Sequence, residues 1–301
     1  MGWHLSSAAT AMSTLTASAP VRTPPSTASA RPDIQRWKPA LGARVRRWRY
    51  EGGTLPPETR AVLHDALREY GLLIFEPGSV TPGDFTDLLQ AFGEVVLYNG
   101  PQTPAASANA RANLVDSSDK RQARNFLWHI DQAFRPDPPK LTALYGQEVP
   151  AYGGDTLFSN AILAYERLDP HFAAYLETLT AVHYWDATGH LADRFHDPEE
   201  AARQRALAAP IETPLVRVHP DTGRKQLFVN ESYTTYIKHV SRTVSQNLLA
   251  ILFEEIKSPE VQARYDWEPG ALILWDNRVV QHRGIGDFAN QRRVFYRACV
   301  V

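Results

Sequence analysis

His129 and Asp131 stand two residues apart in the stretch "FLWHIDQAF", among Phe126, Trp128 and Ile130. In an extended strand, residues i and i+2 project to the same face. The spacing therefore predicts a strand over 126–132 that presents an imidazole and a carboxylate side by side. Both groups can ligate a metal. Two imidazoles and one carboxylate on one face of an iron, with the other positions open, form the ligand set of non-heme Fe(II) oxygenases. His-x-Asp alone is a weak signal: a histidine satisfied within a core, beside an aspartate capping a turn, gives the same pattern.

A third ligand lies far along the chain. In "GALILWDNRVVQHRGIGDFANQRRVFYRACV", His282 follows a strongly apolar strand and Arg293 comes eleven residues later. A late strand can close a barrel back onto an early one, bringing His282 to His129 and Asp131. Arg293 begins the final strand, and its permanently charged planar guanidinium suits bidentate pairing with a carboxylate. Holding the far carboxylate of 2-oxoglutarate requires such a fork, while the keto acid end chelates the metal. Thr156 in "GGDTLFSN" offers a hydroxyl to the same pocket.

Around these residues, periodicity separates helices from strands. Val62, Leu63, Ala66, Leu67 and Tyr70 recur at helical spacing over 56–71, with Gly71 at the end. A second helix is expected over 81–95, capped by Thr81, and a third over 245–258 with a stripe of Leu248, Leu249, Ile251, Leu252 and Ile256. The short buried strand "LLIF" follows the first helix. Other strands are expected at 126–132, 141–148, 154–159, 214–219, 226–231, 262–267, 271–276 and 293–300. Turn residues at 152–155, 219–225 and 268–271 separate several of them. The polar stretch 183–212 interrupts this pattern and reads as a lid. The resulting fold class is mainly β with flanking helices, a β-sandwich or jelly-roll core.

Bulk properties exclude several function classes. A formal charge of −1 leaves no electrostatic footprint for nucleic acid or an anionic membrane. No apolar run reaches the roughly 18 residues of a membrane span. The single cysteine, Cys299, excludes an intrachain disulfide and a Cys-rich zinc site, and fits a reducing, cytoplasmic location. The Ser/Thr/Ala/Pro stretch before Asp33 cannot bury enough apolar surface to order itself. Residues 1–40 are therefore expected to be a disordered tail and 41–301 the folded domain. Arg22 and Arg31 are too few for a transit peptide, and Met12 offers a second initiation point.

The chain resembles the taurine dioxygenase / 2,4-dichlorophenoxyacetate dioxygenase family of Fe(II)- and 2-oxoglutarate-dependent oxygenases. The resemblance runs from about residue 57 to 301. It is densest in "WHIDQAF", in "GGDTLFSN" followed by "AYERL", in "VRVHPDTGRKQLFVNESYTT" and in "LILWDNRVVQHRGIGDFANQRRVFYRA". It implies a double-stranded β-helix, with Fe(2+) held by His129, Asp131 and His282. It also implies 2-oxoglutarate held by Thr156 and Arg293, and O2 as oxidant. Arg297 matches an arginine that binds an anionic substrate head, and Asn125 a polar substrate-pocket position. Relatives also associate as dimers or tetramers. The implied reaction is hydroxylation of a small anionic carboxylate, sulfonate or phosphonate, with desaturation or cyclisation using the same residues.

Departures from the family pattern are informative. The stretch "FGEVVLYNGPQ" holds no histidine, where taurine-type members carry one shortly after "FGE", so Tyr98 or Asn99 is expected in that space and taurine itself is disfavoured. Asp131 argues against halogenation, which leaves its position to Ala or Gly. A zinc hydrolase could use the same triad, yet has no need of Arg293 and Thr156. A non-catalytic 2-oxoglutarate-binding relative would not need every iron and cosubstrate residue. His183, His190, His196, His219 and His239 are read as solvated or structural, and Cys299 as a small core hydrophobe.

Overall fold

The computed structural model describes residues 31–96, 112–118, 126–187, 198–199, 202 and 209–301. Tyr98, Asn99, Asn125, His190, His196 and most of the expected lid lie outside the described residues. So does the tail to residue 30.

The chain opens with an antiparallel pair, β1 (Asp33–Arg36) and β2 (Ala43–Arg46). Then come α1 (Pro57–Tyr70), β3 (Leu72–Phe75), α2 (Phe85–Leu89), β4 (Val95–Val96) and β5 (Asn113–Asp116). The long β6 (Leu141–Glu148) precedes β7 (Thr156–Asn160), α3 (Ala161–Glu166), α4 (Pro170–Leu176) and β8 (Thr180–His183). Four short strands follow: β9 (Ile211–Pro214), β10 (Val216–Val218), β11 (Lys225–Leu227) and β12 (Thr234–Ile237). The last part holds α5 (Arg242–Lys257), β13 (Gln262–Tyr265), β14 (Leu272–Asp276), β15 (Val280–Gly284) and β16 (Val294–Val300).

One large sheet runs β1-β2-β3-β14-β6-β16-β4, with β5 also paired to β16. A second sheet, β13-β7-β15, is antiparallel throughout. Strand β14 explains how the two are stacked. Its side chains alternate between faces: Leu272 and Leu274 pack with Leu63, Leu67, Phe85 and Leu88 beneath the helices. Ile273 and Trp275 face the other way, against Phe158, Ala263 and Tyr265 of the second sheet. A strand covered on both sides favours apolar residues on both faces, which is why Leu272–Trp275 reads as a continuous hydrophobic run that ends at Asp276. The jelly-roll core with helices packed outside is thus present as the sequence led us to expect.

The helix ends follow local chemistry. Gly71 takes a left-handed φ of 71° and its N–H caps Leu67, turning the chain from α1 into β3. Ser241 caps α5 by accepting the Val244 N–H at 3.3 Å.

Several expectations need correction. No strand spans 126–132; His129 alone forms a β-bridge, and a turn follows it. The second helix is short because Thr81 accepts the Asp84 N–H in a preceding turn, so α2 starts only at Phe85. Among the described residues, regular structure is present from Asp33, inside the expected tail, because β1 finds a partner in β2. At the turn leading into β11, Arg224 pairs with Glu166 at 2.7 Å and Lys225 with Glu177 at 2.6 Å.

Candidate metal centre

His129 and His282 are joined through their main chains. The His129 N–H donates to the His282 carbonyl at 3.1 Å and the reverse bond is 3.0 Å. Strand β15 also pairs with β7, setting His282 opposite Phe158. The His282 ring packs 4.7 Å from Trp275 and 4.1 Å from the His129 ring, centroid to centroid. Beyond His129 the chain turns. Gln132 adopts φ 56°, a left-handed conformation that a strand does not allow. Buried Asn277, just past β14, fixes the turn. Its Oδ1 accepts the Asp131 N–H at 2.9 Å, and its Nδ2 donates to the carbonyls of Asp131 and Pro139 at 3.0 and 2.9 Å.

The three side chains converge. His129 Nε2 lies 3.7 Å from Asp131 Oδ1, and His282 Nε2 lies 4.0 Å from Asp131 Oδ2. One ligand atom from each residue falls within 4.8 Å of the others. All three are nearly closed to solvent, at 5, 2 and 7 % exposure. His129 Nδ1 lies 2.9 Å from the Leu127 carbonyl, which requires Nδ1 to be the donor and leaves a lone pair on Nε2.

Burial pushes both imidazoles toward the neutral form. Burial would raise the Asp131 carboxyl, but the Arg297 charge and then the two imidazoles hold it down to about 2. Asp131 Oδ2 is buried with no hydrogen-bond partner. Leaving such an atom unsatisfied costs on the order of 1–3 kcal/mol, or more when charged. Two neutral imidazoles, an ionised carboxylate and an orphaned oxygen fit a divalent first-row cation.

A second group of polar residues gathers where β16 begins. Arg293 donates from Nε to the Gly154 carbonyl at 2.9 Å and from an Nη to Thr156 Oγ1 at 3.3 Å. Its guanidinium stacks 4.0 Å above the Phe295 ring. Trp267 Nε1 donates to the same threonine oxygen at 2.9 Å. Burial lowers the Arg293 pKa to about 10, leaving it charged at neutral pH, and no carboxylate hydrogen-bonds to it among the described residues. Arg292 points outward instead, to Asp116 and Glu148. Arg297, four residues on, forms an ion pair with Asp131.

The structure thus joins His129, Asp131 and His282, and separately joins Thr156 with Arg293. It carries Arg297 to the Asp131 carboxylate. Reading the sequence did not single out Asn277, the Leu127 carbonyl, Gly154 or Trp267. Asn277 was the most legible of these, as a polar side chain next to Asp276 at the end of an otherwise apolar strand.

His219, Asp221 and Asp276 also lie close enough for a metal. Asp276 is already occupied: it accepts from His219 Nε2 at 3.0 Å, and Arg278 grips both its oxygens at 2.9 and 2.6 Å. Arg278 also pairs with Asp221 at 2.6 Å, so this cluster is a closed structural network.

Known proteins resemble this arrangement over most of the chain. The alkylsulfatase of Acinetobacter baylyi is 33% identical over 249 residues, covering 81% of this chain and 77% of that protein. The alpha-ketoglutarate-dependent sulfate ester dioxygenase of Pseudomonas putida is 31% identical over 266 residues, covering 85% of each. The crystal structure of a taurine dioxygenase from Burkholderia xenovorans superposes with a TM-score of 0.73 at 27% identity, covering 90% of this chain and 91% of the other. The family model for taurine catabolism dioxygenase TauD, TfdA matches residues 33–299. The chain belongs to that family, and so to the dioxygenases that work with Fe(II), 2-oxoglutarate and O2.

Proposed function

We propose that this chain hydroxylates a small anionic molecule of the sulfate ester or sulfonate class at the carbon beside the anionic group. The observation that carries this reading is a pair of guanidinium groups, one immediately before β16 and one within it. Arg293 hydrogen-bonds to no carboxylate among the described residues, and Arg297 reaches the metal ligands.

Ferrous iron held by His129, Asp131 and His282 supplies, with 2-oxoglutarate and O2, the oxidising power for C–H hydroxylation, giving succinate and CO2. Arg293 and the Thr156 hydroxyl hold the distal carboxylate of 2-oxoglutarate. Trp267 and the Gly154 carbonyl fix their orientation beforehand. Arg297 attracts the anionic end of the substrate and aims the neighbouring carbon at the centre. Tyr98 and Asn125 complete the substrate pocket in this reading. For an alkyl sulfate, hydroxylation at the ester-bearing carbon gives a product that breaks into an aldehyde and sulfate. The names of the bacterial relatives support this substrate class. We place the protein in the cytoplasm as a homodimer or homotetramer, with a catalytic domain that includes β1 and so starts at about Asp33. No helix among the described residues is long and apolar enough to cross a membrane.

The test is succinate formation from Fe(II) and 2-oxoglutarate with panels of alkyl sulfates, sulfonates, carboxylates and phosphonates. Sulfate esters or sulfonates should raise succinate above the substrate-free rate, with matching aldehyde and sulfate or sulfite. Stimulation by carboxylates or phosphonates alone, or by none of the four, overturns the reading.

A further inference from the structure

We infer that Arg297 is a positioning residue for the metal ligand Asp131, neutralising and orienting its carboxylate whenever the centre holds no cation. This role is separate from the substrate contact proposed above and needs no substrate.

The geometry starts from the register of the large sheet. Arg297 lies opposite Leu144 and Cys299 opposite Thr142, so Arg297 and Cys299 share one face of β16. That face looks at Asp131. The Arg297 guanidinium is in ion-pair contact with the carboxylate, with its own side chain 18 % exposed and that of Asp131 2 %. Behind them the Thr142 hydroxyl meets Cys299 Sγ at 3.9 Å. Burial pushes the Cys299 thiol up to about 11, so it stays protonated and adds no negative charge. Among the described residues, Arg297 is the one arginine or lysine side chain paired with the buried carboxylate.

A buried carboxylate stripped of its only cation is strongly destabilising, whereas replacing that cation by another is not. A divalent metal delivers the replacement. Arg297 therefore stabilises the metal-free fold more than the metal-bound fold. Linkage then requires that removing it tighten metal binding, because an interaction favouring the empty state opposes the ligand. A residue that merely filled space would affect both states alike.

The experiment uses the full chain, stripped with EDTA, with Mn(II) as the redox-silent probe. Chemical denaturation of wild type and Arg297→Met is compared with and without saturating Mn(II), and Mn(II) affinity is read by electron paramagnetic resonance. The metal-free unfolding equilibrium of Arg297→Met should shift toward the unfolded state about a hundredfold. Mn(II) should restore most of this, and Mn(II) affinity should rise about tenfold or more. Should Arg297→Met not fold without metal, Arg297→Lys, which keeps the charge and loses the fork, is read in the same way with a smaller shift. As a second arm, Arg297→Met in an Asp131→Asn background should cost far less than in wild type. A deficit equal with and without Mn(II), no deficit, unchanged or weaker Mn(II) binding, or an undiminished cost in the Asp131→Asn background overturns the inference.

Discussion

His129 and His282 meet twice, once through reciprocal backbone bonds of 3.1 and 3.0 Å and once through rings whose centroids are 4.1 Å apart. The backbone pairing needs neither imidazole, so the link between the turn and β15 is independent of the ligands it carries. Replacing His282 by Ala should therefore leave the fold standing and remove the metal. The far-ultraviolet circular dichroism spectrum should match wild type while Mn(II) affinity falls by at least about a hundredfold. Loss of folded structure instead would mean that the ring, and not the bridge, holds the two segments together.

Arg293 and Thr156 offer a matched pair of tests. Arg293→Lys keeps a charge but loses the planar fork, and Thr156→Val keeps the volume but loses the hydroxyl. Hydrogen bonds to a charged group are worth about 1.5–3 kcal/mol each. The KM for 2-oxoglutarate should rise about tenfold for Thr156→Val and more for Arg293→Lys, with kcat changed less. An unchanged KM in steady-state succinate assays would remove both residues from the cosubstrate pocket.

How much of this was legible in the sequence varies with the physics. The jelly-roll core could be read because β3 is apolar throughout, β14 is apolar up to Trp275, and the core-facing positions of β16 are apolar around Arg297. The triad could be read because its chemistry restricts residue type. The local structure around Asp131 could not, since Gln132 at φ 56° and the Asn277 clamp depend on contacts more than a hundred residues apart. Strands β8, β9 and β12 were missed for a similar reason. They are short, and their polar residues His183, Thr213 and Thr234 satisfy one another only after folding. The family resemblance marks Arg297 as a substrate anchor, and only the folded chain shows that it also meets Asp131.

His183 makes stability depend on pH. It is fully buried, with Nε2 2.9 Å from Thr213 Oγ1 and Nδ1 3.1 Å from Thr234 Oγ1. Burial, helped by the Arg217 charge, lowers its pKa from 6.5 to about 4. Between those values only the unfolded chain takes up a proton. Stability present above pH 6.5 is therefore lost as the pH falls to about 4, and this residue adds no further loss below that. The full effect is on the order of 3 kcal/mol. Urea midpoints at pH 7.5 and 4.5 should converge for His183→Gln relative to wild type. Identical pH dependence in both proteins would rule this histidine out as the source.

Asn277 bonds three main-chain groups around Asp131, so Asn277→Ala should orphan one buried N–H and two carbonyls. A loss of about 2–4 kcal/mol is expected by chemical denaturation. Mn(II) binding should weaken as well, because the turn that aims the carboxylate loses its anchor. A variant of lowered stability with wild-type metal affinity would show that the turn holds its shape unaided.

Gly154 tests the cosubstrate pocket from the backbone side. It adopts φ 71°, where an L side chain is strained, and a Cβ there would lie 3.3 Å from Arg293 Cδ and 3.1 Å from Pro150 Cγ. Its carbonyl accepts from Arg293 Nε at 2.9 Å and its N–H donates to Asp287 Oδ1 at 2.8 Å, so the peptide can neither flip nor retreat freely. Gly154→Ala should therefore cost about 1–3 kcal/mol of stability and push the Arg293 stem out of register. The KM for 2-oxoglutarate should rise several-fold while Mn(II) affinity stays within about twofold, because the alanine methyl touches the arginine and not the ligands. Equal losses in both would mean that the damage spreads through the sheet and that Gly154 serves the fold rather than the guanidinium it cradles.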